Sequence, residues 1–249
     1  MSLRNTIIKA SFRECPISDR KNFKQSHCLL PISVGQPIHE ASKFLATIRL
    51  INSAFQKCTI LVDDTVQRHT LKIYNPNDSN AELYQKALLE GDLWLARNKS
   101  ALKMLNIPHD IMRWDQWYAH SKFNAQLAQI ENLYETSEVY RDAINLNIKD
   151  YLERQINRDF NYDYAFLCCL DYLKEECAVM TLWTEGSYDF EVYPHGRNKA
   201  MAATYEYLIQ PLHPALLRSV ALRFKKHPAP LTPFPELSNL VSARLHAEC

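Results

Sequence analysis

"CLLPISVGQPIHE", residues 28–40, decides how this chain is read. Its opening run, Cys28 to Ser33, is apolar up to the serine and does not alternate, which suits a strand covered on both faces. Gly35 follows two positions after Ser33. Gln36 and a proline-marked stretch then read as the start of a helix. The chain holds only 4 glycines in 249 residues, so one placed at the tip of a strand needs a reason. A second run of the same character is "CTILVDD", 58–64. Between the two, residues 41–56 set Phe44, Ile48, Ile51 and Phe55 at helical spacing. Strand, helix and strand in this order make a βαβ unit with a right-handed crossover.

Working outward, residues 106–114 read as a third strand after a helix over 80–105, residues 115–183 as largely helical, and 187–194 as a late strand. Residues 1–26 are expected to form an N-terminal extension, and the proline-punctuated residues 210–249 a surface wrap, all within one domain. This alternation predicts an α/β fold with a parallel sheet flanked by helices, whose ligands bind at the carboxyl ends of the strands. At 47% hydrophobic and 23% charged residues, the chain can bury a large core and is not compositionally disordered. The net charge of +1 means that a polyanion must be held by a local patch. No apolar run is long enough for a membrane span, and "MSLRNTIIKASFREC" lacks the core of an export signal. The seven cysteines have no zinc-like spacing. A reduced, cytoplasmic protein without membrane or metal partners is expected.

Three constellations carry candidate chemistry. Ser33 ends a strand, although Ser and Gly after a strand are also ordinary loop residues. Pro31 occupies the first glycine position of a nucleophile elbow, and no Gly-Lys-Ser/Thr follows, so neither a hydrolase elbow nor a phosphate loop is present. In "LCCLDYLKEECAVMTLW", 167–183, Tyr172 and Glu176 lie four apart on one helical face, which Val179 and Met180 continue. Glu175 points elsewhere. A desolvated Glu176 would gain a raised pKa suited to acid–base work, while a Tyr–Glu pair on a solvated face is the plainer alternative. In "YDFEVYP", 188–194, alternation sets Tyr188, Phe190 and Val192 toward the core and Asp189, Glu191 and Tyr193 opposite. Tyr193 is equally compatible with an edge position in water.

Taken in order, Ser33-x-Gly35, Tyr172-x-x-x-Glu176 and Tyr193-Pro194 resemble the cyclodipeptide synthases, with "ILVDDTVQRHTL", 60–71, resembling the family's second strand and following segment. Gln36 with Tyr193-Pro194 is similar to the branch that lacks asparagine three residues after the serine and carries Tyr-Pro at the late tyrosine. The resemblance implies a Rossmann-like fold similar to class I aminoacyl-tRNA synthetase catalytic domains. It implies two aminoacyl-tRNAs used in sequence, no cofactor and a monomer. On this resemblance Ser33 would become an aminoacyl-enzyme and then a dipeptidyl-enzyme before a diketopiperazine is released. It further implies that Tyr172 and Glu176 hold the first amino group, that Tyr193 positions Ser33, and that Gly35 leaves room for the tRNA end. The HIGH-type and KMSKS-type signatures of true synthetases are absent, which implies neither ATP binding nor amino-acid activation.

Leu29, Pro31 and Ser33 share a strand face, and with Val179, Met180 and Glu191 they are expected to line a partly polar first side-chain pocket, beside Gln36 and Pro194. A second pocket is expected near residues 147–158. For tRNA, Arg97, Lys99 and Lys103 lie off the core face of the 80–105 helix, with "RFKKH", 223–227, and the Arg154/Arg158 pair as competitors. Neither His27 nor His39 has a clear relation to Ser33, and His39 is at most a minor candidate for a proton shuttle. Two other readings stand beside this one: an aminoacyl-tRNA esterase, and a non-catalytic tRNA-binding protein of the same fold.

Overall fold

The computed structural model describes residues 6–13, 15–155 and 159–228. In chain order the elements are β1 (Thr6–Arg13), α1 (Ile17–Asn22), β2 (His27–Ser33), α2 (Ala41–Ala54), β3 (Lys57–Asp63), α3 (Arg68–Tyr74), α4 (Asn80–Leu102), β4 (His109–Arg113), α5 (Trp114–Tyr118), α6 (Phe123–Thr136), α7 (Glu138–Glu153), α8 (Tyr162–Leu182), β5 (Phe190–Tyr193), α9 (Lys199–Thr204) and β6 (Arg218–Pro228). The strands form one sheet in the order β1-β6-β5-β2-β3-β4, parallel except for β1 against β6. Among the described residues, no helix is long and apolar enough to cross a membrane.

The unalternating strands sit where their sequence demands. Cys28, Leu30, Ile32, Cys58, Ile60 and Val62 pack on one face against Phe44, Ile48 and Ile51 of α2 and Trp94 of α4. Leu29 and Leu61 face the opposite core, built on α6, α7, α8 and α9. Both faces are therefore dry, which is what a continuous apolar run requires.

The chain runs from β2 outward to β3 and β4, then returns to place β5 and β6 on the other side of β2. The sheet thus reverses its order between β2 and β5, and such a switch point is where open α/β sheets hold ligands. The β2–β5 ladder covers only Cys28↔Phe190 and Leu29↔Glu191. Pro31, without an N–H to donate, lies beyond that ladder. The two strand ends that leave it carry Ser33 and Tyr193.

Two expected boundaries are corrected. The presumed N-terminal extension contributes β1, and the presumed wrap contributes β6, which lies inside the sheet between β1 and β5. Residues 229–249 lie outside the described residues. The signal was present in period two: Val220, Leu222 and Phe224 join the α2-side core while Arg223 and Lys225 are exposed. The late strand begins at Phe190, not 187, after a left-handed Ser187. Tyr188 therefore precedes the strand and packs in the core opposite to Phe190 and Val192.

Gly91 is the point where α4 crosses the strand ends. Arg113, at the end of β4, donates to Asp64, to Asp92 at 2.7 Å and to the Leu88 carbonyl at 3.0 Å. A Cβ on Gly91 would lie 2.5 Å from Asp64 Oδ2 and 2.7 Å from Arg113 Nη2. Helix propensity favours Ala over Gly by about 1 kcal/mol, but the overlap opposes it with about 1–3 kcal/mol. Gly91→Ala is therefore expected to lower the urea-unfolding midpoint; a raised midpoint would show that α4 does not sit this close.

Candidate active site

Ser33 Oγ and the Tyr193 hydroxyl are hydrogen-bonded at 2.9 Å across the gap between β2 and β5. Beyond Ser33 the chain turns at once, the Gln36 N–H donating to the Ser33 carbonyl at 3.2 Å. Gly35 is the third residue of that turn, with φ +84°, a backbone that favours glycine. No atom lies within 4 Å of where its Cβ would stand, so the turn itself accounts for the glycine.

These strand ends open into a cavity of about 770 Å³, lined by Pro31, Ser33 and Gln36 on one side and by Tyr172, Glu176 and Tyr193 on others. The Tyr172–Glu176 pair is not solvated. Tyr172 O–H donates to Glu176 Oε1 at 3.4 Å and accepts from Gln67 Nε2 at 3.4 Å, while Asn198 Nδ2 donates to Glu176 Oε2 at 3.4 Å. Burial pushes the Glu176 carboxyl up to about 7. Its hydrogen bond from Asn198 works against this, the nearby Glu191 charge adds to it, and the Tyr172 bond works against it. Burial likewise holds the Tyr193 phenol above its ordinary value, so it remains a neutral hydroxyl beside Ser33.

Glu175 does turn away from this cavity, toward α3 and α5. Trp114 Nε1 donates to it at 2.8 Å and Arg68 Nη1 at 2.9 Å, with His69 at 3.1 Å. Burial opposes its ionisation, yet the hydrogen bonds of His69 and Arg68 hold the carboxyl below its ordinary range.

Several expected positions lie elsewhere. Leu29, Val179 and Met180 are fully buried in the helical core instead of facing the cavity, where α8 packs against α6, α7 and α9. Pro194 is buried, its carbonyl accepting from Leu222 N–H at 3.3 Å. Glu191 does reach the cavity, but Arg197 Nε donates to it at 2.7 Å, and the Arg197 guanidinium lies 3.8 Å from the Tyr205 ring centroid. Its charge is therefore already paired. Asn147, Tyr151 and Arg154 of the expected second pocket line the same cavity, whereas Arg158 lies outside the described residues.

His39 is buried against Tyr193, ring centroids 5.3 Å apart, and burial together with His195 lowers its pKa to about 3. Its ring is therefore uncharged near neutral pH. His27 begins β2, at the far end from Ser33, and bonds Thr59 at 2.9 Å. Arg97 pairs with Glu40 at 2.9 Å, level with the start of α2. Lys99 and Lys103 are exposed further along α4, toward Met104, whose carbonyl accepts from Asn52 near the end of α2.

Among the polar residues on the cavity wall that sequence reading gave no role are Asp63, Gln67, Arg197 and Asn198. Asp63 left a trace, an acidic residue ending the second apolar run, and it pairs in register with Ser33. The other three reach the site only through tertiary contacts.

A CDPS from Fluoribacter dumoffii has 57% sequence identity to this chain, covering 90% of it and 100% of that structure, with TM-score 0.88. The chain belongs to the cyclodipeptide synthases. The cyclodipeptide synthase from Candidatus Glomeribacter gigasporarum bound to Phe-tRNAPhe shares the fold at 19% identity and TM-score 0.70, covering 88% of this chain and 96% of that one. A Mycobacterium tuberculosis protein that relates cyclodipeptide synthetases to type I tRNA synthetases shares it at 10% identity and TM-score 0.60, covering 91% and 96%. No family model matches the chain, and no curated protein does. The expected fold class, a Rossmann-like parallel sheet flanked by helices, is the one found, with the antiparallel β1–β6 pair as its one departure among the described strands.

The raised Glu176 in this synthase fixes the sign of a pH effect. A carboxyl that is harder to ionise folded than unfolded contributes stability that is complete below its unfolded value, 4.5, and lost as pH rises through about 7. Relative to Glu176→Gln, the wild-type protein is therefore expected to lose up to about 3 kcal/mol between those limits. Urea unfolding of both proteins across this range checks it; parallel curves would contradict a buried, neutral Glu176.

Proposed function

We propose that this synthase joins the residues of two aminoacyl-tRNAs into a diketopiperazine through covalent intermediates on Ser33. The observation that supports this most is the 2.9 Å hydrogen bond between Ser33 and the neutral Tyr193 hydroxyl, on the wall of a cavity that also holds the buried Glu176 carboxyl, raised to about 7. The relative bound to Phe-tRNAPhe supports the same class of substrate.

In this reading Ser33 Oγ attacks the ester carbonyl of the first aminoacyl-tRNA. The ester bond to the tRNA breaks, and the serine proton ends on the departing tRNA hydroxyl. Tyr193 donates to the oxygen on which charge develops. Glu176 and Tyr172 hold the first ammonium, and Glu176, with its pKa near 7, takes the proton that frees the amine. That amine attacks the ester carbonyl of the second aminoacyl-tRNA, whose tRNA leaves with a proton, and the dipeptide stays on Ser33. Its terminal amine then attacks the Ser33 ester, closing the ring and restoring the serine hydroxyl. Each step exchanges an ester for an ester or an amide, so no ATP is consumed.

Gln36, Tyr193 and Pro194 assign the chain to the branch without the asparagine. The Glu191–Arg197 pair gives the first side-chain pocket a polar wall, suited to a residue other than a plain aliphatic one. The acceptor stem docks along the outer face of α4 at Arg97, Lys99 and Lys103, which are exposed there.

Mass spectrometry of culture medium after expression in a bacterium tests the reaction. A diketopiperazine is expected from the wild type, none from Ser33→Ala, and a loss of about 100-fold or more from Tyr193→Phe. Free amino acid without cyclic product would make the protein an esterase, and bound tRNA without turnover a binding protein.

A further inference from the structure

Among the described residues five carboxylates are buried: Asp63, Asp64, Glu175, Glu176 and Glu191. Three of them meet a guanidinium, Asp64 that of Arg113, Glu175 that of Arg68 and Glu191 that of Arg197. Asp63 and Glu176 meet none among the described residues. Both lie on the cavity wall, and the Glu176 charge adds to what burial does to the Asp63 carboxyl. Glu176 at least accepts hydrogen bonds from Tyr172 and Asn198. Asp63 is 3% exposed, and its Oδ1 has no hydrogen-bond partner.

A buried carboxyl without a partner costs stability, and two beside each other cost more. The groups around Asp63 do not relieve it. From α8 come Glu176 and Tyr172, from β5 Tyr193 and the already paired Glu191, and from the turn just after β3 the already paired Asp64. Gln67 Nε2 is turned to the Asp63 main-chain carbonyl, at 3.4 Å, and not to its side chain. Among the described residues, no cation is paired with either carboxyl.

The ladder says where a cation belongs. Ser33 and Asp63 are register partners on adjacent parallel strands, about 4.8 Å apart and facing the same side. An acyl group on Ser33 carries its amino nitrogen only two bonds beyond the carbonyl carbon, within reach of a side chain on the next strand. We propose that Asp63 is a second acceptor for the substrate's α-ammonium group, which it and Glu176 grip from two sides. This inference rests on the reading of Ser33 as the acylated residue only for where the acyl group sits; ammonium recognition itself precedes any chemistry. Burial, followed by the Glu176 charge, holds the Asp63 carboxyl well above its ordinary range in the free protein, which fits a site waiting for positive charge.

The test therefore uses a Ser33→Ala background, in which no acylation occurs. The probes are total aminoacylated bacterial tRNA and the same pool N-acetylated, which has no ammonium. The free-amine pool is expected to bind more tightly, and adding Asp63→Asn is expected to weaken it about tenfold or more while leaving the acetylated pool unchanged. The unfolding temperature of Asp63→Asn alone is expected to stay level or rise. Equal weakening of both pools, or a lowered unfolding temperature, would make Asp63 a structural residue, and unchanged binding of both pools would remove it from recognition. Because binding is read without turnover, these outcomes are separate from the loss of diketopiperazine that tests Ser33.

Discussion

The hydrogen bond between Ser33 and Tyr193 exists because β2 and β5 pair over two residues and then part. Had the ladder continued, the two strand ends would have packed against each other and left no cavity. Had it never formed, nothing would hold the hydroxyls 2.9 Å apart. The short ladder is also what tolerates Pro31 in a central strand, two residues before the serine, and a parallel sheet with a reversed strand order supplies the opening. Ser33 is thus fixed by main-chain hydrogen bonds on its β3 side, while on the β5 side its main chain has left the ladder. That is the arrangement a near-attack geometry requires.

Electrostatics at the same end of the sheet divides into two kinds. Arg113, Arg68 and Arg197 each neutralise a buried carboxylate and tie α4, α3 and the β5–α9 connection to their neighbours. Removing one such partner leaves a buried charge and costs about 3–5 kcal/mol, so these pairs hold the frame. Among the described residues, Asp63 and Glu176 are left unpaired with a cation inside that frame. On the proposed reading, stability is given up at these two positions and a positively charged substrate group would restore the balance, while the surrounding pairs keep the backbone in place.

The sequence made legible what depends on local pattern. The unalternating runs at 28–33 and 58–64 gave buried parallel strands, and the four-residue spacing of Tyr172 and Glu176 gave a shared helical face. Ser33, Tyr172, Glu176 and Tyr193, far apart along the chain, do meet in one cavity. What escaped depends on the sheet's return paths. β1 and β6 were hidden because each gains its place only by pairing with a strand distant in sequence, and β6 follows a proline-punctuated segment. Val179 and Met180 continue the Glu176 face in sequence, yet the packing of α8 against α6 and α7 buries them beyond the cavity. Arg197 and Asn198 sit in a connection whose course no periodicity encodes. Asp63 needed the β2–β3 register before its position beside Ser33 could be seen.

Intact-protein mass spectrometry on acid-quenched mixtures of the purified protein with aminoacyl-tRNA addresses the nucleophile directly. The account predicts an added mass of one aminoacyl residue, followed by two, mapped to the peptide that carries Ser33. Cyclic product accumulating with no adduct at any quench time, or an adduct on another side chain, would contradict it.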